Sequence, residues 1–203
     1  MKNDNESSNA PIMHFMDEKL FKSRSISIFG QISEKIARSV TEQLLALSTE
    51  SDDPITIYIS SPGGHVESGD VVYDMIKFIK PKVRVVGTGW VASAATNIYL
   101  AAKKENRFSL PNTRYLVHQP SGGFQGQATD IEIHAKEILS LRARLNDIYV
   151  QHTGQDLKVI EDAMERDKFL DPEEAKEFGI IDEVVNQRPV SAVAEDESEK
   201  SLD

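Results

Sequence analysis

The chain of 203 residues contains no cysteine, which excludes a disulfide framework, a thiol nucleophile and a thiolate metal site. That absence fits a reducing compartment, and the cytoplasm is the expected location. Apolar runs are short and interrupted, so no membrane span is expected. The opening MKNDNESSNA lacks the hydrophobic stretch of a secretory signal. Basic residues are scarce: 23 Lys and Arg stand against 33 Asp and Glu, a formal net charge of −10. No basic stripe with interleaved aromatics occurs, so nucleic acid is not an expected partner. From Asn186 to Asp203 there are two basic residues (Arg188, Lys200) and five acidic ones. The rest of the acidity is spread over the body, as solubility requires.

What is present suits one compact α/β domain: 39% hydrophobic and 28% charged residues, with strand-like and helix-like segments in alternation. Ser25–Phe29 (SISIF) alternates like a strand. Ser33 can cap a helix reaching about Ser48, with Ile36, Val40, Leu44 and Leu47 on one face. Ile55–Ile59 is β-branched and runs into the breaker Ser60-Ser61-Pro62-Gly63-Gly64. A helix over about 68–79 ends before Pro81, and strands are expected at 82–86 and 113–117. The longest helix runs from about Thr129 to His152, stopped by Thr153-Gly154. A last one has Asp171 at its N-cap, Pro172 at N1 and Gly179 as its stop, before a closing strand over 180–185. Residues 1–10 and about 188–203 are polar and expected to be disordered.

Several chemistries can be weighed against these segments. Gly87–Ala92 (GTGWVA) matches a dinucleotide pattern, but the acidic residue about twenty positions on is missing. Gly63–Asp70 has phosphate-loop glycines with Asp70 where lysine is required, and His65-x-Glu67 lacks the cysteines of a deaminase zinc site. No metal-ligand spacing is found elsewhere. Serine chemistry has more support. In GWVASAATNIYLAA (89–102), Ser93 sits between a strand and a helix, among side chains small enough for a tight turn and a close substrate. A plain helix cap is the alternative for Ser93. Of the five histidines, His118 at the end of YLV is the best-placed base, ahead of His65 in the glycine-rich break. His134 and His152 have default packing or surface roles on the long helix, and His14 lies in the N-terminal segment. The orienting acid cannot be chosen among 33 carboxylates.

Five motifs together resemble the proteolytic subunit of Clp protease. They are SPGG (61–64), Ala92-Ser93, LPNTRYLVHQPSGGFQGQATDIEIHAKEIL (110–139), HTGQ (152–155) and ERDKFLDPEEAKEFGIIDEVV (165–185). The likeness spans Leu20 to Val185. It implies a crotonase-type spiral of β-β-α units over residues 20–187, with a protruding handle at 122–152 made of a long helix and a strand. Residues 1–19 would be a divergent N-terminal segment and 188–203 an acidic tail. It also implies a serine endopeptidase with Ser93 as nucleophile, His118 as base and Asp167 as orienting acid. The backbone N–H groups of Gly64 and Ala94 would form the oxyanion hole. Gly63, His65, Val66, Gly122, Gly123 and Phe124 would line the substrate. Arg166, Gln127 and Glu132 would belong to ring contacts.

The same likeness implies stacked seven-membered rings and unfolded-protein substrates fed by a hexameric Clp ATPase. It implies no metal and no cofactor in this chain, ATP being the partner's. The chain departs from the family pattern at Ala94, where a methionine is usual, at Trp90, at Glu165, and at His65-Val66-Glu67-Ser68, which replaces a more apolar stretch. PIMHFMDEKLF is shorter and more acidic than the usual start. These departures motivate an alternative: a low-activity ring subunit working with a second, more typical paralogue. An acyl-CoA enzyme of the same superfold is a third reading, which the HQP block disfavours.

Overall fold

A computed structural model describes residues 10–187. The expected disordered termini therefore lie largely outside the described residues. The elements, in chain order, begin with helix α1 (Ala10–Lys22), strand β1 (Ser25–Phe29), α2 (Glu34–Glu50), β2 (Ile55–Ser61), α3 (Val66–Phe78) and β3 (Val83–Ala92). They continue with α4 (Ala94–Leu100), β4 (Arg107–Ser109), β5 (Arg114–Val117) and α5 (Ala128–Thr153). The last are α6 (Leu157–Met164), β6 (Lys168–Leu170), α7 (Pro172–Phe178) and β7 (Glu183–Val184).

Local signals explain several boundaries. The Ser33 hydroxyl accepts from the Ile36 N–H, and Ala37, Val40, Leu44 and Leu47 form the buried stripe of α2. Ile36, expected on that stripe, is partly buried beside it. Asp171 and Glu174 close a reciprocal capping box on α7, and Gly179 ends it with φ of 92°. Helix α3 starts two residues earlier than its periodicity suggests, directly after the Gly63-Gly64 turn.

The sheet runs β1-β2-β3-β4-β7, with every neighbouring pair parallel. Strand β3 is the pivot. Its first half pairs with β4 through Val85–Gly87, and its second half leaves that partner and pairs with β5 through Trp90–Ala92. A bulge against β2 lets this happen: Ile59 faces Gly87 but Ser61 already faces Val91. Gly89, at φ of 63°, supplies the bend. β6 then adds antiparallel to β5. Core isoleucines of β1 and β2 (Ile26, Ile28, Ile57, Ile59) are inaccessible to solvent.

Helix α5 is buried only at Leu145, Asn146 and Tyr149, toward its C-terminal end. Its N-terminal half, with Ile131, Ile133 and Leu139 exposed, projects from the body as a handle. Residues 122–127, expected as the handle's strand, form no ladder. No strand of the same chain lies beside them among the described residues, and an extended segment becomes a strand only by pairing. Fully buried Arg107 ties the far end of α5 to that of α7, donating to the carbonyls of His152 (2.8 Å), Gly179 (3.2 Å) and Ile180 (3.1 Å). Those carbonyls lie at helix C-termini, where a cation is favoured.

Candidate active site

Ser93 follows the last residue of β3 and precedes the first of α4, held at φ 57° and ψ −124°. A non-glycine residue there costs about 1–3 kcal/mol and persists only where its surroundings fix it. They do so here. The Ser93 N–H donates to the Leu116 carbonyl (3.0 Å), Thr96 Oγ1 reaches the carbonyls of Val91 and Leu116, and all seven residues of α4 are buried. The hydroxyl makes no cap bond to its helix. It lies instead 2.8 Å from His118 Nε2. The cap alternative for Ser93 is therefore not what the structure contains.

His118 Nδ1 is 3.0 Å from Asp167 Oδ1. Strand register brings these two together across 49 positions. β5 and β6 pair antiparallel with Val117 opposite Lys168, so one further step sets 118 opposite 167. The imidazole is 26% exposed and the carboxylate 62%. Beyond the ladder, the Gln119 N–H donates to the Met164 carbonyl (2.7 Å), and its side chain donates to the Glu165 carbonyl (2.9 Å). Arg142 on α5 holds the Glu165 carboxylate at 2.8 Å. Sequence reasoning did not single out Gln119 or Arg142 because their partners are backbone groups or charges far along the chain.

The glycine pair is dictated by crowding. A Cβ on Gly63 would stand 2.7 Å from the Ala92 carbonyl oxygen and 2.7 Å from Ser93 Cβ, at a φ of 89°. A Cβ on Gly64 would stand 2.3 Å from the Ile32 oxygen. Ile32 clamps the turn by donating to Gly63 O (2.8 Å) and accepting from His65 N–H (3.1 Å). The N–H groups of Gly64 and Ala94 find no acceptor among the described residues. Ala94 opens a helix, where first-turn amides have no intrahelical acceptor.

Gly64, His65, Val66, Gly122 and Phe124 line a cavity of about 640 Å³ between the start of α3 and the flank of α5. Phe124 stacks on His134 at 4.1 Å between ring centroids, and Gly123 faces open space. His65 contacts Ser68 Oγ through Nδ1 (2.7 Å) and Glu67 through Nε2 (3.1 Å), so it is not part of the Ser93 constellation. The remaining singled-out residues lie apart from the serine. Gln127 precedes α5, Glu132 pairs with Lys136 (2.7 Å), and Arg166 lines a shallow surface recess beside Asp167. His152 meets the Tyr73 hydroxyl at 2.6 Å, and burial, with Lys77 and Arg107 nearby, pushes its pKa down to about 4. Among the described residues no group of three or more His, Asp or Glu is placed to hold a metal ion, and no helix is long and apolar enough to cross a membrane.

Residues 9–188 match the Clp protease family. The sequence is 51% identical to ATP-dependent Clp protease proteolytic subunit 3 of Rhizobium etli, over 91% of this chain and 95% of that one. It is 46% identical to ATP-dependent Clp protease proteolytic subunit 2 of Gluconobacter oxydans, over 91% and 83%. Among solved structures, ClpP1 from Listeria monocytogenes superposes with a TM-score of 0.78 at 51% identity, covering 85% of this chain and 97% of that one.

Proposed function

Because the chain belongs to the Clp protease family, we propose that Ser93, His118 and Asp167 are the groups with which this proteolytic subunit hydrolyses peptide bonds. The observation that carries the assignment is the 2.8 Å contact from Ser93 Oγ to His118 Nε2, made by a hydroxyl that its own helix does not use. His118 Nε2 takes the hydroxyl proton as Oγ attacks the carbonyl carbon. The developing oxyanion accepts from the N–H groups of Gly64 and Ala94. The imidazolium then gives its proton to the leaving amine, and the peptide C–N bond breaks. Water repeats the sequence on the acyl-serine, returning the free acid and the serine. Asp167 accepts from Nδ1–H throughout, keeping Nε2 free to act as the base and stabilising the imidazolium.

This chemistry draws on no metal or cofactor. The sequence has no nucleotide motif, so ATP hydrolysis belongs to a hexameric Clp ATPase that delivers unfolded chains. The projecting half of α5, with its exposed Ile131, Ile133 and Leu139, is the surface on which rings of this chain stack. Unpaired residues 122–127 offer backbone for an extended substrate to join by strand addition, which suits substrates of varied sequence. Nothing in the geometry specifically favours the low-activity paralogue over this reading.

The test is a fluorophosphonate probe on the full chain, with the adduct located by peptide mass spectrometry. Labelling of Ser93 that disappears in His118→Ala is expected. Ser93→Ala is expected to lose hydrolysis and keep its assembly state. Labelling at another serine, or peptide hydrolysis that survives Ser93→Ala, refutes the assignment.

A further inference from the structure

Asp167 stands where the fold has little of its own to hold it. The β5–β6 ladder has three pairs and ends at Val117 opposite Lys168, one step short of His118 and Asp167. The end of so short a ladder opens readily. The Asp167 carboxylate is 62% exposed, and among the described residues His118 is its one side-chain partner. Two side chains outside the Ser93–His118–Asp167 set compensate. Gln119 follows the base in sequence, and both of its donors reach the end of α6. Its N–H meets the Met164 carbonyl (2.7 Å) and its Nε2 the Glu165 carbonyl (2.9 Å). Carbonyls at a helix C-terminus have no donor within their own helix. That helix is a firm anchor, since Ile160, Ala163 and Met164 are buried in the core. Arg142, on α5, adds an ion pair to the Glu165 carboxylate at 2.8 Å, with most of its own side chain buried. Three ties therefore fix residues 164 and 165, and Asp167 follows two positions later.

We propose that Gln119 and Arg142 are positioning residues for the peptidase reaction, holding the bend at Glu165-Arg166 so that Asp167 meets Nδ1 of His118. The inference rests on the peptidase reading above and deepens it. Gln119 sets the segment that carries the base and the segment that carries the acid in one frame. Arg142 makes that frame depend on α5. Without these ties the exposed carboxylate drifts from the imidazole, and Nε2 is no longer kept free to take the Ser93 proton. Neither residue touches the reacting atoms or lines the cavity between α3 and α5. Their loss therefore acts on kcat and leaves KM unchanged. One side chain–backbone hydrogen bond shifts an equilibrium by about fivefold, and a part-exposed ion pair by about threefold.

The experiment is a double-mutant cycle on the full chain, read by peptide hydrolysis and by the rate of fluorophosphonate labelling at Ser93. Gln119→Met keeps the side-chain length and the backbone N–H but removes the amide donor; Arg142→Met removes the ion pair. They are expected to lower kcat by about fivefold and about threefold respectively, with KM unchanged. Arg142→Lys keeps a cation for Glu165 and should recover most of the loss; a lysine as poor as methionine overturns the part given to Arg142. In an Asp167→Asn background each substitution should change kcat by less than about 1.5-fold, because the carboxylate it positions is gone. An equal loss in both backgrounds overturns the positioning role, as does a lowered melting temperature with kcat intact. So does a loss of kcat that follows a change in the mass of the assembly. In each of these cases the unaltered chain still labels at Ser93, and the peptidase reading stands. Absence of both hydrolysis and Ser93 labelling in the unaltered chain overturns the peptidase reading, and the positioning role with it.

Discussion

Replacing Asp167 by asparagine removes one charge from the constellation while keeping nearly the same shape. The consequence follows from the exposure of the pair. Contacting opposite charges gain about 1 kcal/mol in bulk water and about 4 kcal/mol at the effective dielectric of a protein surface. With His118 26% exposed and Asp167 62% exposed, the imidazolium formed in the transition state loses a stabilisation between these limits, about 2–3 kcal/mol. That is a fall in kcat of roughly 30- to 150-fold. Where the asparagine of a serine protease instead fixes the wrong tautomer of the base, the same exchange costs about 10⁴-fold. The assay is initial-rate hydrolysis at saturating peptide, together with the rate of fluorophosphonate labelling at Ser93; both should fall by a similar factor. A loss under threefold would mean that Asp167 does not hold the base. A loss near 10⁴-fold would mean that the asparagine amide donates to Nδ1 and fixes the wrong tautomer of His118, beyond the loss of charge.

Gly63→Ala forces a Cβ to 2.7 Å from the Ala92 carbonyl and Ser93 Cβ at a backbone φ of 89°. Denaturant unfolding should show a loss of about 2 kcal/mol or more, and Ser93 labelling should be abolished. Arg107→Met leaves the carbonyls of His152, Gly179 and Ile180 without their donor and should cost about 3 kcal/mol in the same experiment; a loss under 1 kcal/mol would contradict the structural role given to the arginine. His152 has a folded pKa near 4 against an ordinary value near 6.5, so the folded state binds fewer protons than the unfolded state between these pH values. Stability should therefore fall as pH drops from about 6.5 to about 4, by about 1 kcal/mol for a half-exposed ring. His152→Gln should flatten that part of the profile, measured by melting across the pH range.

Elements with local chemistry were legible in the residues. Ser33 and Asp171 announce helix starts, and Gly154 and Gly179 announce stops, because a cap is satisfied within four positions. SISIF and ITIYI read as strands from their own side chains. β4 and β6 did not, since three residues carry no periodicity and exist as strands only through β3 and β5. Helix α6 (Leu157–Met164) carries no such local signal, since Asp156 at its N-cap makes no side-chain cap bond. The closing strand, expected over 180–185, shrinks to Glu183–Val184, the two residues in register with Phe108 and Ser109 of β4.

The site divides along the same line. The sequence by itself determined the small residues around Ser93, the adjoining glycine pair and a histidine at a strand end, since these are requirements of a tight turn and of close backbone approach. The resemblance to the Clp proteolytic subunit then singled out Asp167. Only the tertiary structure decided that the Ser93 hydroxyl turns from its helix to His118, and that Asp167 out of 33 acids faces the imidazole. The physical reason is range. Caps, turns and alternation are settled by atoms a few residues apart. Ser93, His118 and Asp167 are joined by the branching of β3 and the register of β5 with β6, which no local stretch of sequence encodes.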